Sequence, residues 1–420
     1  MNGPASGIAP GDEQKRLASL ASTELLASPP EERFDRVTRL AQKLFGVSTA
    51  TVALIADDRQ VLKSLAGTLD TVIPRAAAFC SHTIASRDTL VVEDARQDDR
   101  FRSNPLVLGQ PNIRFYAGQP LQGPGGWNIG TLCLIDQDPR AFTPEQEQIL
   151  RDLAAIVQRE ISVSTDMLNA AKIQRAHRPA PLPGLPGYEV HAATRPAGDL
   201  SGDFYDWQFD GRFLRFTVAD VMGKGAGPAI LAATVQSRLR STGPVEPGEA
   251  LTAVSEALEN DLALEDVFVT AFTATLDVRT GAVRYSDAGH SIAHHVTADG
   301  TVSKLPASGP PLGIIPDCHW ETTTLVLEPG GSLIIPSDGI LELANDDLHQ
   351  LQSDLQAVTR AGADIEASIH ALIDAPSHPS DDLTLLVVRR SLHQPPEQGP
   401  TAELPAPLPL WTTSPESDRL

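Results

Sequence analysis

Residues 198–206 read Gly198-Asp199-Leu200-Ser201-Gly202-Asp203-Phe204-Tyr205-Asp206, and three later acidic stretches make sense as partners of this one. They are Ala219-Asp220-Val221-Met222-Gly223-Lys224-Gly225, Pro336-Ser337-Asp338-Gly339 and Ser380-Asp381-Asp382-Leu383-Thr384. Each sets an aspartate at or just beyond the end of an apolar, β-prone run: Phe213 to Val218 before Asp220, Ser332 to Ile335 before Asp338, and Leu383 to Val388 after Asp382. A carboxylate at a strand end is held stiffly and points at whatever lies above the sheet. Several carboxylates converging on one point repel one another and cannot all stay ionised uncompensated, so bound divalent cations are the usual resolution. All-oxygen ligation suits Mg²⁺ or Mn²⁺ rather than zinc. Two such ions close together can activate a water and stabilise an in-line displacement at phosphorus. An isolated Ser-Asp-Gly is a turn; four such stretches in order, each beside a strand-like run, predict a two-metal phosphohydrolase site.

Further short pieces accompany these four: Ile173-Gln174-Arg175, Leu182-Pro183, Ala288-Gly289-His290, Pro311-Leu312-Gly313 and Ile340-Leu341-Glu342 after Ser337-Asp338-Gly339. Together, over residues from about 175 to 390, they resemble the bacterial stage-II-sporulation-E branch of the PPM (protein phosphatase 2C-like) metal-dependent serine/threonine phosphatases. The resemblance implies an αββα sandwich with a binuclear Mn²⁺/Mg²⁺ centre at one end. It makes Asp220 the bridging ligand, with Val221 contributing its backbone carbonyl, Asp203 a ligand of one ion, and Asp338 and Asp381 ligands of the other. Asp382 follows Asp381 directly, and either of the pair can be the one that faces the metal. Asp206 is implied as an outer-shell acceptor for metal waters. Where eukaryotic relatives carry a histidine two positions after the bridging aspartate, this chain has Met222, which cannot donate a proton. His290 is either a substitute proton donor or a structural histidine at a turn, and Asp287 with His290 can form a support pair. Lys224 either meets substrate phosphate or is solvated.

The chain has 420 residues, too many for one ordinary core, and a net charge of −21 with a pI near 4.8. That charge makes nucleic acid and anionic membranes poor partners. Three cysteines, Cys80, Cys133 and Cys318, without CxxC spacing exclude a disulfide framework and a cysteine-rich zinc site and fit a reducing cytoplasm. No apolar run approaches the roughly 18 to 20 residues of a membrane span, and the N-terminus lacks a signal-peptide pattern. The expectation is a cytoplasmic protein with no membrane or nucleic-acid partner.

In chain order, residues 1–14 read as a disordered lead-in. Amphipathic helices follow from Leu17 to Leu26 and from Glu31 to Phe45, closed by Gly46. Strands are expected over Thr51–Ala56, Gln60–Ser64, Leu90–Val92, Phe115–Ala117 and Ile129–Ile135, an α+β pattern. The pieces Pro30-Glu31-Glu32-Arg33-Phe34-Asp35, Phe79-Cys80-Ser81-His82-Thr83-Ile84, Asp98-Asp99-Arg100-Phe101, Ile113-Arg114-Phe115-Tyr116-Ala117-Gly118 and Ile129 to Asp136 make residues 17–162 resemble a GAF domain. Such domains are sensory or dimerising modules, and nothing here fixes a ligand: Cys80 and His82 are two candidate ligands and do not make a site.

From Pro144 to about Arg175, residues Ile149, Leu153, Ile156, Val163, Met167 and Ala170 recur in steps of four and three, with Glu160 interrupting. This linker helix (144–175) is either the seam of a parallel two-stranded coiled coil, making the chain a homodimer, or a cap on its own domain. Four prolines between Pro179 and Pro186 make residues 175–187 an extended hinge. The phosphatase domain is expected over 176–390, with a helix from Pro228 to Leu239 and adjacent strands at Val267–Leu276 and Ala282–Ala288. A disordered tail is expected over 391–420, with Trp411 unexplained.

The resulting expectation is a multidomain α+β protein: a GAF sensor gating a metal-dependent phosphoserine/phosphothreonine phosphatase. The family resemblance implies a phosphorylated anti-anti-sigma protein in a partner-switching circuit as its substrate. The competing readings are a catalytically silent signalling scaffold and a small-molecule phosphomonoesterase.

Overall fold

Runs of alternating and continuous apolar residues broken by Gly, Pro and Asp organise the computed structural model, which describes residues 8–392 apart from 266, 345–346, 361, 363 and 377–378. The chain divides into two compact units, Met1–His177 and Arg178–Leu420. Residues 1–7 and, of the tail expected over 391–420, residues 393–420 with Trp411 lie outside the described residues.

The N-terminal unit runs α1 (Pro10–Ser22), α2 (Glu32–Phe45), β1 (Thr49–Ile55), β2 (Arg59–Ala66), β3 (Val72–Pro74), α3 (Cys80–Thr83), β4 (Leu90–Val92), α4 (Pro105–Leu108), β5 (Phe115–Gln122), β6 (Asn128–Asp136) and α5 (Pro144–Ala176). Its six strands form one antiparallel sheet in the order β3-β2-β1-β6-β5-β4. Alternation along β1 serves two cores: Ala50, Val52 and Leu54 pack with α2 and α5, while Ala53 and Ile55 pack on the opposite face with Phe79 and Phe101.

An unstructured lead-in through residue 14 is not what forms. Helix α1 already begins at Pro10, with proline in the first turn beside Asp12 and Glu13. It is held by Leu20 in the core and by Arg16, which pairs with Glu13 and donates to the Ile55 carbonyl at 2.7 Å. Composition does not reveal such a long-range anchor.

Helix α5 starts with a capping box, Thr143 and Gln146 each accepting the other's backbone N–H. Leu150, Leu153, Ala154, Val157 and Ile161 bury one stripe of it against its own unit. Leu153, expected in a seam between two copies, is therefore used internally, whereas Ile149, Ile156 and Val163, spaced by sevens, stay 37%, 48% and 50% exposed.

The C-terminal unit runs β7 (Tyr188–Arg195), β8 (Phe204–Phe209), β9 (Phe213–Val221), α6 (Ala226–Ser241), α7 (Pro247–Glu265), β10 (Val269–Asp277), β11 (Ala282–Ala288), β12 (His294–Val296), β13 (Val302–Lys304), β14 (Thr323–Val326), β15 (Ser332–Pro336), α8 (Asp338–Leu343), α9 (Leu348–Thr359), α10 (Ile365–Asp374) and β16 (Leu383–Arg390). It contains two five-stranded antiparallel sheets, β14-β11-β10-β9-β8 and β13-β12-β15-β16-β7. One core draws on both: Leu214, Phe216 and Val218 of the first sheet meet Leu333, Ile335, Leu386 and Val388 of the second. The outward residues Ala219 and Val221 pack on α6 and α7, and Ile334, Leu383, Leu385 and Val387 pack on α8, α9 and α10. Each fully buried aliphatic side chain contributes about 1.5–3 kcal/mol, so β9 and β16, which bury residues on both faces, are firm supports for the aspartates at their ends.

The topology then places the acidic stretches. Phe204 pairs with Ala219, so the start of β8 and the end of β9 are neighbours; Pro336 pairs with Leu385, so the end of β15 and the start of β16 are neighbours too. Hydrogen bonds from Gly202 and Ser201 to Asp382 bring the two pairs of strand ends together.

Candidate metal centre

Asp203 stands just before β8 and is 3% exposed, with Oδ2 buried and without a hydrogen-bond partner. Burial, followed by the neighbouring Asp220 charge, holds its carboxyl well above the ordinary aspartate range, against the hydroxyls of Thr384 and Ser337. Asp220, next to last in β9, is pushed from 3.8 to about 7, first by burial and then by Asp338, with Asp381 and Asp382 adding to the effect. Asp338 opens α8 and is also raised, by burial and by Asp381, while the Gly339 N–H and Lys224 oppose the shift. The expected aspartates thus share one electrostatic neighbourhood in which they cannot all ionise cheaply.

Asp381 and Asp382 diverge. Asp382 is 5% exposed and accepts from Ala197 N at 2.7 Å, Gly202 N at 2.7 Å and Ser201 Oγ at 3.1 Å, so both its oxygens anchor the 197–202 loop. Asp381 is more open; its Oδ1 accepts the Asp382 N–H at 2.8 Å and lies 3.2 Å from Lys224 Nζ. Lys224 also donates to the Ser380 carbonyl.

Asp206 does not join the group. Its carboxylate accepts from Arg240 Nε at 2.6 Å and Nη2 at 2.8 Å, which ties β8 to the end of α6. His290 is 6% exposed, its Nδ1 3.5 Å from Thr270 Oγ1, and burial drives its pKa down to about 4 despite the Pro336 backbone. Asp287 does not pair with its ring: the carboxylate accepts the Ser291 N–H at 3.0 and 3.1 Å, shaping the turn after β11. Met222 is 38% exposed, and its N–H donates to the Phe268 carbonyl at 3.0 Å.

Two glycines permit the close approach. A Cβ on Gly202 would lie 2.8 Å from the Val221 carbonyl oxygen, and one on Gly339 would lie 2.2 Å from the Asp382 carbonyl oxygen. The supports that sequence reading overlooked are Ser201, Ser337, Thr384 and Arg240. Ser201 Oγ accepts the Asp203 N–H at 3.1 Å, a turn that the Ser-x-Asp spacing could have signalled. Ser337 Oγ accepts from Thr384 N at 2.9 Å and donates to the Asp382 carbonyl at 3.2 Å, a contact between strand ends with no local signature.

Among the described residues no three His, Cys, Asp or Glu side chains form a ready-made ligand cluster. The donor set nevertheless fits hard divalent cations: all oxygen, one buried carboxylate oxygen unpartnered, and pKa values lifted by mutual repulsion.

Residues 29–161 match the GAF domain family and residues 210–391 match the family described as Stage II sporulation protein E. The chain therefore carries a GAF domain followed by a domain of the stage-II-sporulation-E family, as the motifs implied. Asp220, Asp338 and Asp381 fall inside the second match, and Asp203 falls just before it. A cyclic di-GMP phosphodiesterase of Pseudomonas aeruginosa is 35% identical over 153 residues, 36% of this chain and 26% of that protein. Phosphoserine phosphatase RsbU of Bacillus subtilis is 26% identical over 261 residues, 59% of this chain and 75% of that one. The chain thus spans about a quarter of the first relative's length. The SiaA-PP2C domain of Pseudomonas aeruginosa is similar in structure at a TM-score of 0.47 and 19% identity, over 56% of this chain and 99% of that one. Among the described residues no helix is long and apolar enough to cross a membrane.

Proposed function

We propose that the C-terminal unit is a metal-dependent phosphoserine/phosphothreonine protein phosphatase, built as an αββα sandwich and regulated by the GAF unit. The observation that carries this reading is the buried carboxylate group at four neighbouring strand ends, with Asp220 raised to about 7 and an oxygen of Asp203 unpartnered. Asp203, Asp220, Asp338 and Asp381, with the Val221 carbonyl, would hold two Mn²⁺ or Mg²⁺ ions. When bound, such ions supply activation of a water and stabilisation of the charge that develops at phosphorus.

The chain's own residues have separate tasks. Asp382 fixes the loop that carries Asp203, and Gly202 lets that loop reach the Val221 carbonyl. Lys224, beside Asp381, keeps a positive charge at the edge of the site, where a phosphate oxygen can meet it. The leaving oxygen takes its proton from neither Met222, which has none to give, nor His290, which is buried and neutral at pH 7. Similarity to a phosphoserine phosphatase supports a phosphorylated protein as substrate, and an anti-anti-sigma factor is the class we infer. The exposed Ile149, Ile156 and Val163 of α5 support pairing of two copies along this helix.

The test is hydrolysis of p-nitrophenyl phosphate and a phosphoserine peptide by the full chain with Mn²⁺, Mg²⁺ or chelator, compared with Asp220→Asn. Metal-dependent turnover that the substitution abolishes is expected. Metal binding without turnover of either ester would favour a signalling scaffold, and turnover of small esters but of no phosphopeptide would favour a metabolite phosphatase.

A further inference from the structure

On one face of the N-terminal sheet the core is apolar except at one point. Phe79, Ile84, Val92, Phe101 and Ile113 enclose Cys80 and Cys133, which are 2% and 0% exposed. Cys80 opens α3 and Cys133 lies within β6, and their Sγ atoms are 3.6 Å apart. That is contact distance for two thiols and about 1.5 Å more than a disulfide bond.

A cysteine that merely packs behaves as a small hydrophobe and needs no polar company. This pair has four hydroxyls. Thr51 Oγ1 lies 3.0 Å and Thr131 Oγ1 3.7 Å from Cys133 Sγ. The Tyr116 hydroxyl lies 3.5 Å from Cys80 Sγ and is itself held at 2.7 Å by Thr83 Oγ1. Burial pushes the Cys80 thiol up, but hydrogen bonds from Cys133, Thr131 and Tyr116 outweigh it and bring the thiol below its ordinary value. Cys133, by its bond to Cys80 and by burial, is held well above its ordinary value. The two sulfurs sit in unlike surroundings: Cys80 Sγ faces the Tyr116 hydroxyl, and Cys133 Sγ faces the hydroxyls of Thr51 and Thr131.

We propose that Cys80 and Cys133 are a peroxide-oxidisable dithiol that closes to a reversible disulfide inside the N-terminal unit. Cys80 sulfur attacks one oxygen of hydrogen peroxide; the O–O bond breaks, the other oxygen leaves with the thiol proton as water, and Cys80 becomes a sulfenic acid. Cys133 sulfur then attacks the Cys80 sulfur, the S–S bond forms, the S–O bond breaks, and hydroxide leaves as water with the Cys133 proton. Two thiols are oxidised and one peroxide is reduced to two waters. Exchange with an external dithiol restores both thiols and oxidises that dithiol. Access depends on local opening of α3, which has only four residues, so a small peroxide enters where a bulky alkylating reagent does not.

The experiment uses the full chain with Cys318→Ser, which removes the one thiol outside this core, beside the unsubstituted chain. Each is treated with hydrogen peroxide in native buffer, then denatured in N-ethylmaleimide and read by intact and peptide mass. The expected result is loss of two alkylatable thiols and of two hydrogens in mass, with the Cys80 and Cys133 peptides joined in one species that dithiothreitol splits. In Cys133→Ser, dimedone should trap a sulfenic acid at Cys80; in Cys80→Ser none should form at Cys133. Should either variant fail to fold, the Cys318→Ser measurement alone decides. The proposal is overturned if both thiols stay alkylatable at peroxide levels that oxidise Cys318. It is equally overturned if they pass to sulfinic acid without a cross-link, or if the cross-link forms only in denatured protein.

Discussion

In the N-terminal unit the polar groups around Cys133 are small and neutral, and each thiol or hydroxyl touches another: Thr51, Thr131, Cys80, Tyr116 and Thr83 form a chain of contacts. In the C-terminal unit the strand ends gather carboxylates instead, and Asp203 Oδ2 is buried without a hydrogen-bond partner. The first cluster costs the fold little, because neutral groups that satisfy one another can be buried. The second is costly unless charge arrives from outside, because low-dielectric surroundings magnify both desolvation and mutual repulsion. The difference teaches where to look for an exogenous cation: where a well-packed fold tolerates repulsion that no internal partner relieves.

The largest expected effect is on turnover. Asp203→Asn should lower Mn²⁺-dependent hydrolysis of p-nitrophenyl phosphate by about three orders of magnitude, the several kcal/mol that an ion's charge stabilisation is worth. In chelator the same variant should melt at a higher temperature than the parent chain. If it keeps full turnover, the contrast between the two clusters loses its functional meaning.

Next is the close approach at the start of β16. Gly339→Ala puts a Cβ about 2.2 Å from the Asp382 carbonyl oxygen and should cost about 3 kcal/mol in urea denaturation. Gly198→Ala, with nothing within 4 Å of its Cβ, should be nearly neutral.

A third test concerns pH. Asp220 ionises ordinarily near 3.8 and in the folded unit near 7. Folding therefore favours its protonated form: its stabilising contribution is fully present below about 3.8 and is lost as pH rises towards 7. In chelator, Asp220→Asn should be the more stable protein at pH 8, by about 2 kcal/mol once solvent relaxation is allowed for. The gap should narrow steadily as pH falls towards 4, and a gap independent of pH would break the electrostatic reading of the site.

The smallest effect separates two adjacent residues. Asp382→Asn weakens three hydrogen bonds from the 197–202 loop and should cost about 1–2 kcal/mol of stability. Asp381→Asn should leave stability nearly unchanged and instead weaken Mn²⁺ binding, measured by calorimetry. Reversed results would exchange the two roles.

Some features were legible because they are local. Strand runs bounded by aspartate are read directly, and β9, β15 and β16 lie on the apolar runs themselves. The start of α5 beside Thr143 follows from side chains bonding to backbone a few residues away, and the turn at Ser201 to Asp203, though overlooked, rests on a contact of the same local kind. Residues distant in sequence are another matter. Arg240 takes the Asp206 carboxylate across 34 residues, and Arg16 reaches the Ile55 carbonyl across 39, which is why a proline-led segment that composition reads as a lead-in becomes α1. The heptad spacing of α5 was visible, but which of its faces its own unit consumes was not, because Leu153 is taken by α2 and the sheet while Ile149 and Ile156 are left exposed.

The sequence by itself determined the four acidic stretches, from turn chemistry and residue type within short windows, and the two modules and their order, through short motifs that resemble known families. Tertiary structure alone decided that Asp382 anchors a loop beside a freer Asp381, that His290 is buried and neutral, and that Cys80 meets Cys133. Those outcomes depend on which groups from remote strands share one desolvated point, and the strength and sign of an interaction there are set by distance and burial.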